Sequence, residues 1–300
     1  MSQASVASLK RAAATAGDLL ELTKPRLSGL VLATTGGGMW LAARTHGADL
    51  SVARGLLSLI SIAATVGAAN ALNCYLERDR DRLMARTRNR PLPSGRMEPW
   101  VARGFGLSLA ALALPALALG ANLLTAALAA LALGTYVLIY TPLKAKSAVA
   151  MWVGAVPGAL PPLMGWTSVT NRIDAPGLVL FGILYVWQLP HFLAIAMYRR
   201  DEYAAAGLKT LPLSLSDAAA RGQIVAYTAA LIPITLLLWS FGVAGVGYAA
   251  TAVVLGAGFF GLAAYGLMRR LERSWARQVF LSSLVYLTGL FLVLMVDRPR

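Results

Sequence analysis

Apolar residues run in long, nearly uninterrupted stretches along this chain, and polar residues gather in the short segments between them. An α-helix needs about 20 apolar residues to cross the hydrocarbon core of a bilayer. The pattern therefore predicts an all-α integral membrane protein with about nine transmembrane helices. The predicted spans are 27–43, 56–76, 101–119, 123–140, 148–168, 178–198, 224–241, 246–268 and 279–296.

The composition agrees with a membrane protein, because 58% of the residues are hydrophobic and only 13% are charged. Soluble domains carry about 25% charged residues. Residues 1–21 are predicted to form a cytoplasmic N-terminal tail, and residues 22–300 a single transmembrane domain. The tail has no apolar core of a secretory signal, which favours a protein of the bacterial inner membrane; a short mitochondrial presequence is the alternative.

The net charge of +14 would suit a nucleic-acid-binding protein, but the basic residues are divided between the two sides of the predicted spans. With the N-terminus in the cytoplasm, 22 of the 27 Lys and Arg fall on the cytoplasmic side. Such an excess fixes the orientation of a multi-pass protein. No basic soluble domain remains once the spans are removed, so we expect contacts with membrane lipid and no nucleic-acid partner.

The most informative motif lies at the cytoplasmic end of the second span. Asn73, Glu77 and Asp81 are spaced four residues apart, which places them on one face of a helix within about 12 Å of length. One amide and two carboxylates in a row are suitable ligands for Mg²⁺, which completes its shell with water and phosphate oxygens. A salt-bridged, solvated helix end is the structural alternative. The position of Asn73 argues against this alternative, because it lies within the apolar span, where burial of an unpaired amide is energetically unfavourable.

Basic residues follow this motif directly. Arg86, Arg88, Arg90 and Arg96 lie on a loop stiffened by prolines, which suits a fixed clamp over phosphate oxygens. They also have a simpler interpretation as anchors to anionic lipid headgroups. Further cationic candidates on the same side are Lys24, Arg26 and Lys144.

A second charged motif, with Asp201 and Glu202, follows the sixth span. These two residues are adjacent and hence about 100° apart on a helix, so they form a less regular ligand pair. Basic residues and a Leu-Pro follow each motif at a similar distance. Two half-sites facing one cavity would fit a diphosphate substrate and more than one Mg²⁺.

His191 is one of two histidines and lies in the sixth span, directly after Pro190. It either packs between helices or lines a cavity that holds the substrate. The other histidine, His46, is predicted to be ordinary surface. The single cysteine, Cys74, is interpreted as a small packing residue.

These residues resemble the UbiA-type intramembrane prenyltransferases, and within them the branch that farnesylates protohaem IX. The general resemblance rests on the Asn-x3-acid-x3-Asp pattern of Asn73, Glu77 and Asp81 and on the segment 86–95. The closer resemblance rests on the segments 22–26, 73–75, 140–144, 154–166, 187–192 and 198–207, and it extends over about residues 20 to 290. Glu77 stands where the family more often has Asp, and Asp201 and Glu202 replace a spaced pair of aspartates.

The resemblance implies nine helices around a central cavity and a Mg²⁺-dependent transfer of a farnesyl group from farnesyl diphosphate to a vinyl group of haem B, giving haem O. The product would pass to a downstream haem A synthase or to oxidase assembly factors. The implied catalytic residues are Asn73, Glu77, Asp81, His191 and Asp201, and the implied metal ligands are Asn73, Glu77, Asp81, Asp201 and Glu202. The implied substrate-binding residues are Lys24, Arg26, Arg86, Arg88, Asn89, Arg90, Lys144, Arg200 and Lys209.

Three other functions remain open at this point. A prenyltransferase for a quinone precursor or a chlorophyll-type ring would share the first motif. A secondary transporter for an anionic substrate would place its charged residues near the middle of the spans, whereas most of them here lie at one edge. A purely structural membrane subunit would leave the acidic residues of the second span without a reason.

Overall fold

The computed structural model describes residues 15–47, 51–205, 207, 216–269 and 273–297, with only the backbone described for residues 26 and 27. Helices make up the regular structure of these ranges, and no strand occurs in them. The eleven helices are α1 (Ala16–Leu22), α2 (Pro25–His46), α3 (Val52–Asp81), α4 (Pro99–Gly120), α5 (Leu123–Leu143), α6 (Ala150–Thr170), α7 (Ala175–Tyr198), α8 (Arg200–Ala205), α9 (Asp217–Ser240), α10 (Val246–Arg269) and α11 (Arg273–Val296). The prediction of an all-helical protein is confirmed.

Seven of these helices are long and apolar enough to cross a membrane by length and composition: α3, α4, α5, α7, α9, α10 and α11. The other two predicted spans correspond to α2 and α6, which have 22 and 21 residues. Both are rich in glycine, threonine or proline, which lowers their mean hydropathy. The protein is therefore a multi-pass membrane protein with nine long helices in the part of the chain that the structure describes.

The composition of α2 and α6 has a structural reason, because these two helices pack closely against each other. A Cβ at Gly38 would collide with the backbone carbonyl of Pro162, and one at Gly165 would collide with that of Thr35. Small residues let helix backbones approach in this way inside a membrane. The glycines that make α2 and α6 less apolar are therefore what brings them together at the middle of the bundle.

The segment between α3 and α4, residues 82–98, is anchored by buried apolar side chains. Leu92 and Met97 belong to a cluster with Leu22, Ala71 and Cys74, all of them buried. The backbone closes on itself where the Met97 amide donates to the Pro91 carbonyl at 3.1 Å. This segment is thus a folded cap over the ends of α1, α3 and α4. Cys74 is a packing residue, as predicted.

The long helices alternate in direction, as contacts at their ends show: Lys24, just before α2, and Lys144, just after α5, both bond to the C-terminal part of α3. The C-terminal ends of α3, α5 and α7 therefore lie at the same side of the bundle as the N-terminal ends of α2, α4 and α6. The predicted site residues all come from segments at this side or from the helix turns that lead to it.

Candidate functional site

Three polar residues of α3, here named the acid strip, lie buried on one face of the helix near its end. Asn73, Glu77 and Asp81 are 2%, 6% and 2% exposed. Their spacing of four residues places them on one face, as predicted from the sequence. Buried carboxylates need partners, because desolvation strongly disfavours an unpaired charge. The acid strip must therefore be neutralised by other parts of the chain.

Each residue of the acid strip has its own cationic partner, and the three partners come from three different segments. The Lys24 ammonium donates to Asn73 Oδ1 at 2.9 Å, and Arg90 donates to Asp81 Oδ2 at 2.9 Å. The Lys144 Nζ lies 2.6 Å from Glu77 Oε1 and 2.7 Å from Oε2. The structure thus brings together three carbonyl or carboxylate groups and three cations at one end of α3.

Lys24 occupies a strained position between α1 and α2. Its backbone is left-handed, with φ of 51°, and it directly precedes Pro25. Non-glycine residues rarely adopt this conformation, and a following proline disfavours it further. Such a conformation persists where the surroundings fix it and is common at functional sites. Here it directs the lysine side chain towards Asn73.

The electrostatics of Lys24 and Lys144 show how closely the cations gather. Burial lowers the pKa of Lys24, and repulsion from Arg90 and Lys144 lowers it further. Burial also acts against the charge of Lys144, but the neighbouring Tyr140 and Glu77 side chains raise the pKa of this amine above its ordinary value. Lys144 therefore stays charged beside Glu77, while Lys24, which bonds to the neutral Asn73 amide, would be stabilised by an added anion.

A π-helical turn at Thr135–Tyr140 sets the position of Lys144 at the end of α5. The wider turn lets the Thr141 hydroxyl donate to the Tyr136 carbonyl at 2.8 Å, and the Asn73 amide donates to the same hydroxyl oxygen at 3.1 Å. Such turns occur mostly as local bulges and frequently at functional sites. The turn thus ties α5 to the acid strip at Thr141, three residues before Lys144.

The segment 82–98 contributes two side chains to the acid strip. Arg90 pairs with Asp81, and the Thr87 hydroxyl donates to the Asp81 carbonyl at 2.8 Å. Arg96 instead donates to Glu21 at 3.2 Å and to the Asn89 carbonyl at 3.1 Å. Of the other predicted substrate-binding residues in this segment, Arg86, Arg88 and Asn89 are exposed to solvent.

The second charged motif lies on and around α8, and its residues pair among themselves and with the following helices. Glu202 accepts from Arg199 at 2.6 Å, Arg200 donates to Asp217 at 2.6 Å, and Asp201 pairs with Arg273. None of the ion pairs in the described ranges joins this motif to the acid strip. Its nearest approach is Tyr203, which packs on Met84 just beyond the end of α3.

His191 lies on α7, where its Nδ1 is 2.7 Å from the Ser283 hydroxyl of α11 and its ring stacks on Trp187. Two predicted substrate-binding residues have no described side chain. The side chain of Arg26 and the whole of Lys209 lie outside the described residues.

The sequence interpretation missed the residues that hold the site residues in place. Thr141 and Thr87 are buried and bond to the acid strip, and Ser283 bonds to His191. Thr141 and Thr87 each lie next to charged residues that the sequence had already marked as candidates. Their position could therefore have indicated that they belong to the site. Ser283 is an isolated polar residue in an apolar helix 92 positions from its partner, and nothing local marks it.

The donor set of the acid strip bears on whether it can hold a metal ion. The described residues contain no cluster of three or more His, Cys, Asp or Glu side chains with metal-binding geometry. Glu77 and Asp81 are instead a pair of oxygen donors on one helix face, with an amide beside them. Such a pair fits a hard cation that takes its remaining ligands from water and from substrate phosphate, which is the usual behaviour of Mg²⁺.

Comparison with known sequences gives a near full-length match. The profile of the UbiA prenyltransferase family matches residues 30–284. The chain is 61% identical over 286 residues to the protoheme IX farnesyltransferase of Myxococcus xanthus (strain DK1622), with 95% of this chain and 96% of that protein covered. It is 52% identical over 281 residues to the protein of the same name from Anaeromyxobacter dehalogenans (strain 2CP-C), with 94% of each chain covered.

Solved structures share the fold at low sequence identity. A structure described as that of digeranylgeranylglyceryl phosphate synthase in membranes has a TM-score of 0.78 at 17% identity and covers 93% of this chain and 97% of its own. A UbiA homolog from Archaeoglobus fulgidus bound to GPP and Mg²⁺ has a TM-score of 0.59 at 15% identity and covers 92% of this chain and 99% of its own.

Proposed function

The chain belongs to the UbiA prenyltransferase family, and on that premise we propose that it farnesylates protohaem IX to give haem O. Farnesyl diphosphate and water are the other reactants. The observation that carries this proposal is the near full-length similarity to relatives named for that activity. The geometry supports it, because three cations contact the buried acid strip at one side of a membrane bundle.

Within this proposal, the acid strip and its three cations bind the diphosphate of the substrate. Glu77 and Asp81, with Asn73 beside them, would hold a divalent metal ion, Mg²⁺, which when bound would neutralise charge on the leaving diphosphate. Lys144 and Arg90 exchange their carboxylate partners for phosphate oxygens, and Lys24 exchanges the Asn73 amide oxygen. Arg90 is suited to a bidentate contact and the two lysines to point contacts.

These cations act where charge develops during the reaction. The allylic carbon–oxygen bond of farnesyl diphosphate breaks, and its electron pair leaves on the diphosphate, where Lys24, Lys144 and Arg90 stabilise it. The π electrons of the haem vinyl group form the new carbon–carbon bond to the farnesyl carbon. Water then adds to the remaining carbocation and loses a proton, which completes the hydroxyethylfarnesyl group. No side chain of the protein acts as a nucleophile.

The orientation of the protein is part of the proposal. We propose that the chain lies in a bacterial inner membrane with its N-terminus and the acid strip facing the cytoplasm, as the distribution of basic residues predicts. The diphosphate and the metal ion then enter from the cytoplasm, and the farnesyl chain lies among the apolar helices.

The test is a reaction with purified protein in lipid nanodiscs, supplied with haem B, farnesyl diphosphate and Mg²⁺. The expected product is haem whose mass has risen by the elements of farnesol, and chelation of the metal should abolish its formation. A parallel reaction with a quinone precursor tests the other acceptor class. Product from the quinone precursor and none from haem would overturn the proposed acceptor while leaving the prenyl transfer intact.

A further inference from the structure

His191 is held by a defined network between α7 and α11. Its Nδ1 lies 2.7 Å from Ser283 Oγ, and its ring centroid lies 4.8 Å from that of Trp187 and 4.7 Å from that of Phe280. The Trp187 indole donates to the Ser283 carbonyl at 2.7 Å. One serine of α11 therefore fixes both aromatic side chains of α7.

The direction of these hydrogen bonds determines which nitrogen of His191 carries the proton. The Ser283 hydroxyl has one proton, and we assign it to the bond with the Phe280 carbonyl, whose oxygen lies 2.6 Å away. Its oxygen can then only accept from His191, so Nδ1 is the protonated nitrogen of the neutral ring. The other nitrogen, Nε2, is left with a free lone pair.

Nε2 has no hydrogen-bond partner among the residues that the structure describes. The side chain is only partly buried, although its neighbours Trp187, Phe280 and Phe192 are all aromatic. A free imidazole lone pair in an apolar environment is a ligand for a metal ion, and metal-binding histidines usually donate their other N–H to a fixed acceptor.

We propose that Nε2 of His191 is the axial ligand of the acceptor haem iron and that Ser283 is the positioning residue that sets this tautomer. The inference rests on the proposed function, because it takes haem as the acceptor. It also excludes a second role that a haem-facing histidine could have, donation of a hydrogen bond to a propionate. A neutral ring with its only proton on Nδ1 has no second N–H to donate to a propionate.

The depth of His191 in the bundle agrees with this role. His191 lies seven residues before the end of α7 at Tyr198, and Asn73 lies eight residues before the end of α3 at Asp81. At a rise of about 1.5 Å per residue, both lie about 10 to 12 Å from helix ends on the same side. An iron bound at His191 therefore brings the porphyrin to the depth of the diphosphate site.

Helix α6 contacts residues beside both sites. Its Ala155 carbonyl accepts from Gln188, one turn before His191, at 3.2 Å. Its Gly154 packs on the ring of Tyr140, which lies beside Lys144. The small residues of this part of α6 thus bring Gln188 of α7 and Tyr140 of α5 into close contact with the same helix.

The experiment measures absorption and resonance Raman spectra of haem B bound to the full-length protein in nanodiscs. We expect a histidine-ligated spectrum in the parent protein and its loss in His191→Gly. Added imidazole should restore the spectrum in that variant, which shows that the variant is folded. Because the chain has only two histidines, His46→Gly is the matched control and should retain the parent spectrum.

Two serine variants test the positioning role. Ser283→Ala should weaken haem binding by about 10- to 100-fold and shift the iron–histidine stretch, as loss of such an orienting partner usually does. Ser283→Thr keeps the hydroxyl and should bind haem within about threefold of the parent. Farnesyl diphosphate affinity should stay at the parent value in all of these variants.

The outcomes separate this inference from the proposed function. An unchanged haem spectrum in His191→Gly overturns the ligand role even if the protein makes haem O. An unchanged stretch and affinity in Ser283→Ala overturns the positioning role. A parent protein that shows the histidine-ligated spectrum without farnesylating haem retains the binding site and refutes the proposed reaction, whereas one that binds no haem refutes both.

Discussion

Replacement of Lys144 by methionine tests whether the ion pair with Glu77 serves both folding and substrate binding. Methionine keeps the length and the packing of the side chain against Tyr140 but removes the charge. The Glu77 carboxylate is 6% exposed, so its charge would remain buried without its ammonium partner. Lys146 lies two residues further along, is exposed, and provides a matched control in Lys146→Met.

The expected loss of stability follows from the burial of the pair. Removing one partner of a fully buried ion pair costs about 3–5 kcal/mol. The Lys144 side chain is 25% exposed, and water can therefore reach the vacated position. We expect Lys144→Met to lower the free energy of unfolding by about 2–3 kcal/mol, below the range for full burial. Lys146→Met should stay within about 0.5 kcal/mol of the parent.

The second mutation, Glu77→Gln, separates the two roles. In the double variant no buried charge is left unpaired, so stability should return to within about 1 kcal/mol of the parent. Turnover should not return, because the amine binds diphosphate and the carboxylate binds the metal ion in the proposed reaction. Loss of either the Lys144 amine or the Glu77 carboxylate should lower kcat/KM by about 100-fold or more.

The assays are unfolding in mixed detergent micelles, followed by tryptophan fluorescence, and steady-state formation of farnesylated haem. If Lys144→Met unfolds no more easily than Lys146→Met, the pair does not neutralise a buried charge. If the double variant recovers both stability and turnover, the pair is purely structural, and the diphosphate site must be sought elsewhere.

Three further predictions concern the acid strip, the contact between α5 and α6, and the topology. Asp81→Asn should lower turnover by about 100-fold or more while leaving purified yield near normal, because it keeps the size of the side chain and removes its charge. Gly154→Ala would place a methyl group 2.5 Å from the ring of Tyr140, so we expect a loss of about 1–3 kcal/mol in the free energy of unfolding. Single cysteines at Ser94 and Arg172, in a Cys74→Ala background, should label from opposite faces of the membrane.

Each of these predictions has a control and a contrary outcome. Asp79→Asn removes a neighbouring exposed carboxylate and should keep parent turnover, whereas metal-dependent turnover in Asp81→Asn would contradict the metal role. Gly134→Ala adds a methyl group with nothing within 4 Å and should not destabilise, so equal effects of the two glycine variants would exclude a role for Tyr140 contact. Labelling of both cysteines from the same face would refute the predicted arrangement of nine spans.

The acid strip could be predicted from the sequence because helical spacing alone places its members on one face. The bundle was predictable for a similar reason, since apolar runs report membrane spans directly. The hydropathy of α2 and α6 is lower because their glycines serve close packing, as Gly38 and Gly165 show. Mean hydropathy therefore fails to identify α2 and α6 as candidate membrane spans.

The sequence identifies candidate cationic partners for the acid strip, but it does not show which cation pairs with which residue. Lys24, Arg90 and Lys144 were all candidates, yet which cation meets which acid depends on contacts across as many as 67 positions of sequence. The π-helical turn that positions Thr141 has no signal in the apolar pattern. Asp201 and Glu202 show the opposite case, because a motif that looks like a second half-site forms local ion pairs. Their role as metal ligands remains a prediction.

The ion pairs Lys144–Glu77 and Arg90–Asp81 also determine which ligands can bind to the site. A lone anion, such as inorganic phosphate, that binds Lys144 or Arg90 would have to break an internal ion pair and leave Glu77 or Asp81 without a counter-charge. A lone metal ion would displace Lys144 or Arg90 and leave those cations unpaired. A metal diphosphate supplies both charges at once, and every group keeps a partner. We therefore expect the two ligands to bind with positive cooperativity, each raising the affinity of the other by the same factor.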